Sequence, residues 1–392
     1  MDIMIDKETI VLSEPTRRLD IEDEWPVPFP TLVTLVSCAD FSGRANFLPV
    51  ASAMVLSYVP FMLGVGIARA RFSPNYVRRF SHYLIWDTQQ FVVNIPSKNL
   101  REAITIAGSI SGRRCDKFKA TNLTPQKAML VLPPYIEECP VNYECVVRQI
   151  LRLGSHDFFV SRVVAAHKLK NVQLKWARLP VFYEKIEAYV EFHKEYSGAN
   201  MPHSDREHVN LSIVDENIVR EWAELFPIIP SIISTADRVG TPFFAAARTT
   251  AVVNRFPLMI GVSLPVSNKL THYTIQNIEE TGEFVINMID NRFASQLWQL
   301  EQGKSTTIFE ETAVLTGMWV SSPLLAVAPI NLECEVNNII NIGDCFFVIG
   351  TVVVIHKPID FIMSSNKNKL TGKINWFWET LPEYITNEPI CD

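Results

Sequence analysis

Residues 30–64, PTLVTLVSCADFSGRANFLPVASAMVLSYVPFMLG, return as residues 227–261, PIIPSIISTADRVGTPFFAAARTTAVVNRFPLMIG, at one unbroken offset of 197. Pro30 falls on Pro227, Asp40 on Asp237, Gly43 on Gly240, Pro60 on Pro257 and Gly64 on Gly261. Two more blocks follow in the same order. DTQQFVVNIP (87–96) meets ETGEFVINMI (280–289), and YECVVRQILRLGSHDFFVSRVVAAHK (143–168) meets LECEVNNIINIGDCFFVIGTVVVIHK (332–357) without a gap. This register defines a duplicated domain of about 150 residues, far longer than the units of solenoids and propellers. A chain of 392 residues holds two such copies, and each is large enough to bury its own core.

Short Val/Ile/Phe-rich runs at 30–37, 47–56, 61–68, 91–95, 143–151 and 157–166 recur in copy two. They are too brief and too β-branched for helices, and ADFSGRAN and ADRVGTP read as turns between strands. Helices are expected at 77–87, at 97–110 with Ser97 as cap, and at 214–226, where VDENIVREWAELF has helical apolar spacing. The polar stretch 193–208 reads as an exposed linker, whereas 175–192 and the aromatic NWFWETLPEY near the C-terminus read as packed on a barrel. The expected division is an extension (1–29), copy one (30–192), a linker (193–213) and copy two (214–392). The expected fold is mainly β, an antiparallel barrel with peripheral helices, twice over.

A formal net charge of −6 without a Lys/Arg run argues against nucleic acid as partner. The seven cysteines form no CxxC pair, so no zinc cage or disulfide framework is spelled out. The acidic MDIMIDKETI does not resemble an export signal, and a reducing cytoplasm is the expected setting. Residues 45–68 carry no charge over a length that could span a bilayer. The run contains Pro49 and Pro60, however, and its partner stretch carries Arg248 and Arg255, which a membrane span would bury at several kcal/mol each. No membrane segment is expected.

Copy one strings together several short motifs in a fixed order: Asp-x-x-Gly-Arg-x-Asn (40–46), Ser52, Ser57 with Pro60, Ser81 through Phe-Val-Val-Asn-Ile-Pro (91–96), Ser-Gly-Arg-x-x-Asp-Lys-Phe (111–118), Leu-Thr-Pro (123–125), Glu144-Cys145 and Gly-x-His (154–156). In these motifs the chain resembles the flavin reductase-like FMN-binding split-barrel family over about 30–168, and more weakly over 227–357. The resemblance implies six-stranded Greek-key split barrels that pair, with FMN (or FAD) at the seam. A tandem chain satisfies that pairing as an intrachain pseudo-dimer, alone or as a homodimer of it. A flavin phosphate is a dianion that calls for hydroxyls, backbone N–H groups and cations. Ser52, Ser57, Ser81, Arg78, Arg79 and Lys117 supply that inventory, and Asn46 with the backbone of 50–57 is a candidate donor set toward the flavin ring. His156 is either a donor beside the cofactor or nicotinamide, or a histidine at a strand start bonded to a turn.

Copy two departs at these places: Asn46 becomes Phe243, Ser57 becomes Asn254, Asp116-Lys117 becomes Thr307-Ile308, His156 becomes Cys345, and Ser52 survives as Thr249. Ser81 aligns either with Thr274 or, in a rival register, with Thr271. Copy two therefore reads as a partner barrel with an eroded site. Gly303-Lys304-Ser305 lacks the upstream glycine of a phosphate-binding loop. Cys145 and Cys334 read as buried inert thiols, and His167 and His356 as residues of a turn at a strand end. The functions implied are NAD(P)H-dependent reduction of flavin, which would then serve a partner monooxygenase, or a flavin enzyme acting directly on an organic substrate in a biosynthetic pathway. A third is a split-barrel pair that holds flavin or haem without turnover.

Overall fold

The structure is a computed structural model that describes residues 7–12, 32–69, 79–97, 100–170, 206–289, 293–304 and 314–358. The segments 175–192 and 359–392, residues 20–24, Arg78 and Thr307-Ile308 lie outside the described residues.

After β1 (Lys7–Val11), copy one runs β2 (Thr34–Ala39), β3 (Ala45–Val50), β4 (Ala53–Ser57), β5 (Met62–Ala68), α1 (Phe80–Thr88), β6 (Gln90–Ile95), α2 (Arg101–Ser109), α3 (Lys117–Thr121), the two-residue β7 (Pro125–Gln126) and β8 (Tyr135–Ile136), β9 (Val141–Arg152) and β10 (His156–Leu169). After β11 (Arg206–Asn210) and α4 (Glu216–Ala223), copy two repeats the order. It comprises β12 (Ser231–Ala236), β13 (Pro242–Ala247), β14 (Thr249–Asn254), β15 (Met259–Pro265), α5 (Lys269–Thr281), β16 (Glu283–Met288), α6 (Ala294–Glu301), β17 (Val314–Leu315), β18 (Leu324–Leu325), β19 (Ile330–Ile342) and β20 (Cys345–Pro358).

The sheet of copy one is ordered β3-β2-β6-β9-β10-β5-β4, and that of copy two β13-β12-β16-β19-β20-β15-β14. The first and last strands of each path are consecutive in the chain, so one strand bent at Ala51-Ser52, and its equivalent at Arg248, closes each sheet on itself. Counted that way each barrel has six strands. The bend is why the single expected strand 47–56 appears as two. The turn before β3 is held by Asp40, which accepts from the amides of Ser42 and Arg44, with Gly43 at φ +87; Asp237 and Gly240 repeat it. Only glycine takes that left-handed conformation without strain, which explains the constant Asp-x-x-Gly.

The flanking strands are exchanged between copies. β1 precedes copy one but pairs with β20, and β11 precedes copy two but pairs with β10. The exchange is symmetric in detail. Lys7 Nζ donates to Asn331 Oδ1 and Arg206 Nη1 to Asn142 Oδ1, while Thr9 meets His356 and His208 meets His167. Residues 206–208, expected within an exposed linker, are thus part of a strand, because the linker's end supplies the otherwise open edge of β10. α4 forms where its spacing predicts, capped by Asp215, and buries Val219, Trp222 and Ala223 in the core of copy one.

Two readings are corrected. α2 begins at Arg101 and its N-cap position is Leu100, while Ser97 offers only its carbonyl to the Leu100 amide. His167 and His356 are not turn residues: each lies within a strand, 2.7 Å from Glu144 and 2.6 Å from Glu333 respectively. Burial opposes ionisation of Glu144, but the bond from His167 and the amides of Met129 and Leu130 hold its pKa below the usual value, and Glu333 repeats this with Met318, Trp319 and Val320. The two carboxylates thereby anchor equivalent loops. Among the described residues no helix is long and apolar enough to cross a membrane.

Between the barrels lies a shared core of Met54, Leu56, Met62, Phe158 and Val160 from copy one with Ala251, Val253, Met259, Phe347 and Ile349 from copy two. Phe158 and Phe347 stack at 5.4 Å. Gly64 and Gly261 make room for those rings: a Cβ on Gly64 would lie 2.2 Å from Phe158. The two halves form an intrachain pseudo-dimer.

Candidate functional site

The pseudo-dimer has two equivalent clefts, each where the β9–β10 or β19–β20 hairpin tip of one copy docks on the β14–β15 or β4–β5 turn of the other. In the first, Ser155 Oγ and the His156 amide donate to Asn254 Oδ1 at 3.2 and 2.9 Å. Ser155 N–H donates to the Phe256 carbonyl, and Phe256 N–H to Ser155 Oγ. Gly154 at φ +122 makes the tip possible, since a Cβ there would sit 2.4 Å from Phe256 O.

Around this tip gather Arg69 at the end of β5, Arg79 at the start of α1 and Arg255 from copy two. Burial, then Arg255, then Arg79 push the His156 imidazole down to about 3. His156 is therefore neutral at ordinary pH, with Nδ1 2.8 Å from Ser155 Oγ. Burial and Arg79 likewise lower Arg255 to about 10. Woven into this group is the carboxylate of Asp157, gripped by Arg69 at 2.5 Å and by the fully buried His82 at 2.8 Å. His82 in turn stacks on Trp86.

A second group lies deeper. Asn46 Nδ2 donates to Ser81 Oγ at 2.7 Å, and Lys117 donates to the Ala107 carbonyl at the end of α2. Cys38 sits among them, its thiol pushed up to about 12 by burial. Asn46 Oδ1 is buried without a hydrogen-bond partner among the described residues, and a Cβ on Gly112 would lie 2.0 Å from it. Asp116 serves as N-cap of α3.

Of the residues the sequence singles out, Asn46, Ser81 and Lys117 come together in the inner group, and Arg79 and His156 at the interface tip. Ser52 donates to the Gly66 carbonyl at the barrel bend, where Gly66 faces Val253 of copy two. Ser57 is brought elsewhere: its hydroxyl donates to Asp344 Oδ1 at 2.9 Å, in the second cleft. Missed were Arg69, His82, Asp157 and Arg255. Their signal was available as titratable residues lacking a counterpart in the other copy, since copy two holds Val266, Ile275 and Phe346 in place of the first three, and copy one holds Tyr58 in place of Arg255.

α1 and α5 end in the same left-handed cap, Gln89 and Gly282, ahead of the matched strands β6 and β16. That register pairs Ser81 with Thr274. With Phe243 replacing Asn46, the buried Thr274 hydroxyl has no partner among the described residues. In the second cleft, Arg248 occupies the place of Ala51, lies 4.2 Å from the Tyr58 ring centroid and pairs with Asp344 at 3.3 Å.

Two closed barrels joined in one chain, with differently lined clefts at their two equivalent seams, define a double barrel of unequal halves. Its lineage is explicit in the sequence: the chain belongs to the family described as flavin reductase like domain, which matches residues 27–185 and again 224–361. It is similar to an uncharacterised protein of Archaeoglobus fulgidus, 31% identical over 121 residues, 31% of this chain and 64% of that protein, so the match spans a little under two thirds of that relative. An uncharacterised protein of Pyrococcus abyssi is 34% identical over 132 residues, 34% of this chain and 71% of that protein. Among solved structures, an FMN-binding protein from Thermus thermophilus with bound 1-cyclohex-2-enone is 28% identical, covering 36% of this chain and 76% of that one with a TM-score of 0.31. A flavoredoxin from Methanosarcina acetivorans is 21% identical, covering 46% and 84%, with a TM-score of 0.33.

Proposed function

We propose that the protein is an FMN-binding oxidoreductase of flavin reductase type that holds one flavin per chain, in the cleft of copy one, and reduces it with NAD(P)H. The observation that carries this reading is the convergence of Arg69, Arg79 and Arg255 on a neutral His156, where the second cleft has Val266, His272, Tyr58 and Cys345 at the equivalent positions. The donor set suits a phosphate-bearing ligand: guanidiniums bind phosphate oxygens in pairs. Arg79 and Arg255 would hold the phosphate, one from each copy, so that the ligand itself bridges the pseudo-dimer. Neutral His156 can donate a hydrogen bond or accept a proton without adding charge. Asp157 fixes Arg69 and His82 beneath it. Flavin, when bound, supplies hydride acceptance from the nicotinamide. Release of reduced flavin to a monooxygenase is the use this reading favours.

The test is anaerobic addition of NADH or NADPH to purified protein loaded with FMN. Bleaching of the flavin band at a stoichiometry of one per chain is the expected result. A protein that takes up no FMN, or shows a Soret band instead, overturns the reading.

A further inference from the structure

The second cleft is not merely a closed version of the first. Arg248 crosses it, and every side-chain hydrogen bond that Arg248 makes among the described residues leaves from Nη1, to both oxygens of Asp344 at 3.3 Å and to Cys345 Sγ at 3.0 Å. The opposite edge of the guanidinium, Nε with Nη2, has no hydrogen-bond acceptor among the described residues, and Arg248 lines a cavity of about 180 Å³. That edge carries two parallel N–H groups, the arrangement that receives a carboxylate bidentately. Asp344 does not swing round to fill it, because the Ser57 hydroxyl and the Tyr58 amide already hold it at 2.9 Å each. Arg220 of α4 reaches the same Asp344 at only 3.7 Å and lines the same cavity. Two guanidiniums thus share one acid.

We propose that this cleft is a second ligand site, distinct from the flavin cleft, and that it binds a small organic carboxylate through Arg248 and Arg220. Size limits the ligand: the cavity is comparable with the ~150 Å³ cavity that accepts benzene, and well below the roughly 300–1,000 Å³ of pockets for larger cofactors. Charge limits it to one negative group, since Glu224 and Glu301 stand on the same wall and disfavour a dianion such as phosphate. The Tyr58 ring, Ile228 and Pro265 offer an apolar face to the body of the acid. The exchange of Ala51 for Arg248 therefore trades space for a planar ligand for a fixed guanidinium.

The experiment uses the full chain and benzoate as probe, titrated calorimetrically with and without saturating FMN. One benzoate per chain is expected, indifferent to FMN. Arg248→Lys, which keeps the charge but loses the fork, should weaken binding about tenfold or more, with Arg220→Gln weakening it in the same direction and the denaturation midpoint reporting that each variant is folded. Benzyl alcohol should not bind. Absence of saturable benzoate binding, equal affinity in folded Arg248→Lys, one-for-one displacement by FMN, or tighter binding of inorganic phosphate than of benzoate each overturns the proposal. Because the titration is run on the flavin-free chain as well, benzoate binding in a protein that refuses FMN would sink the flavin reading alone.

Discussion

Gly154→Ala tests whether the pseudo-dimer and the copy-one cleft are one structure. Gly154 has φ +122, where an L side chain costs ~1–3 kcal/mol in backbone strain. Its new Cβ would also meet the Phe256 carbonyl at 2.4 Å, a backbone atom that cannot turn aside. The hairpin tip must lift, and with it go the bonds from Ser155 and His156 to Asn254 and the pair between Ser155 and Phe256. At ~0.5–1.5 kcal/mol for each of these four, losing even half brings the total to about 3 kcal/mol. Gly43→Ala is the control, because Gly43 has φ +87 and nothing within 4 Å, so it should cost only the ~1–2 kcal/mol of the left-handed conformation. In urea denaturation the Gly154 variant should fall by roughly 1 M in midpoint, with FMN uptake lost, and the Gly43 variant by clearly less with uptake kept. Equal shifts in the two variants would show that the docked tip contributes nothing and would refute the reasoning.

Arg79→Gln and Arg255→Gln, on opposite copies, should each weaken FMN about tenfold or more, whereas Thr249→Ala and Ser57→Ala should leave it unchanged; equilibrium dialysis distinguishes them. Burial, with Arg255 and Arg79, depresses His156 from 6.5 to about 3, so between those values the unfolded chain binds a proton that the folded chain does not. The stability contributed by neutral His156 is complete above pH 6.5 and drains away as pH falls toward 3, and His156→Asn should flatten the acid limb of the stability profile in that window. Deleting residues 1–12 uncovers the edge of β20, which β1 pairs from Lys7 to Val11. The truncated chain should lose stability in copy two and self-associate, read by light scattering against the full chain.

Much of the barrel was legible because short β-branched runs, Asp-x-x-Gly turns and framework prolines are local signals, and the duplication printed each of them twice. Asn46, Ser81 and Lys117 were legible as a group through their motifs. Ser57 was not legible, because its hydroxyl faces Asp344 across the pseudo-dimer and no local pattern records which cleft a strand end enters. Arg248 and Arg255 were visible only as charges that rule out a membrane span; their separate fates, one against Tyr58 and one beside His156, follow from the seam. The exchange of β1 and β11 was equally hidden, since pairing with a strand distant in the chain leaves no mark in either five-residue segment. By itself the sequence determined two copies of one barrel, their order and the positions at which the second diverges. Tertiary structure alone decided which residues from opposite copies share a cleft, because the docking of one copy's hairpin tip on the other's turn sets side chains about a hundred or more positions apart within hydrogen-bond reach.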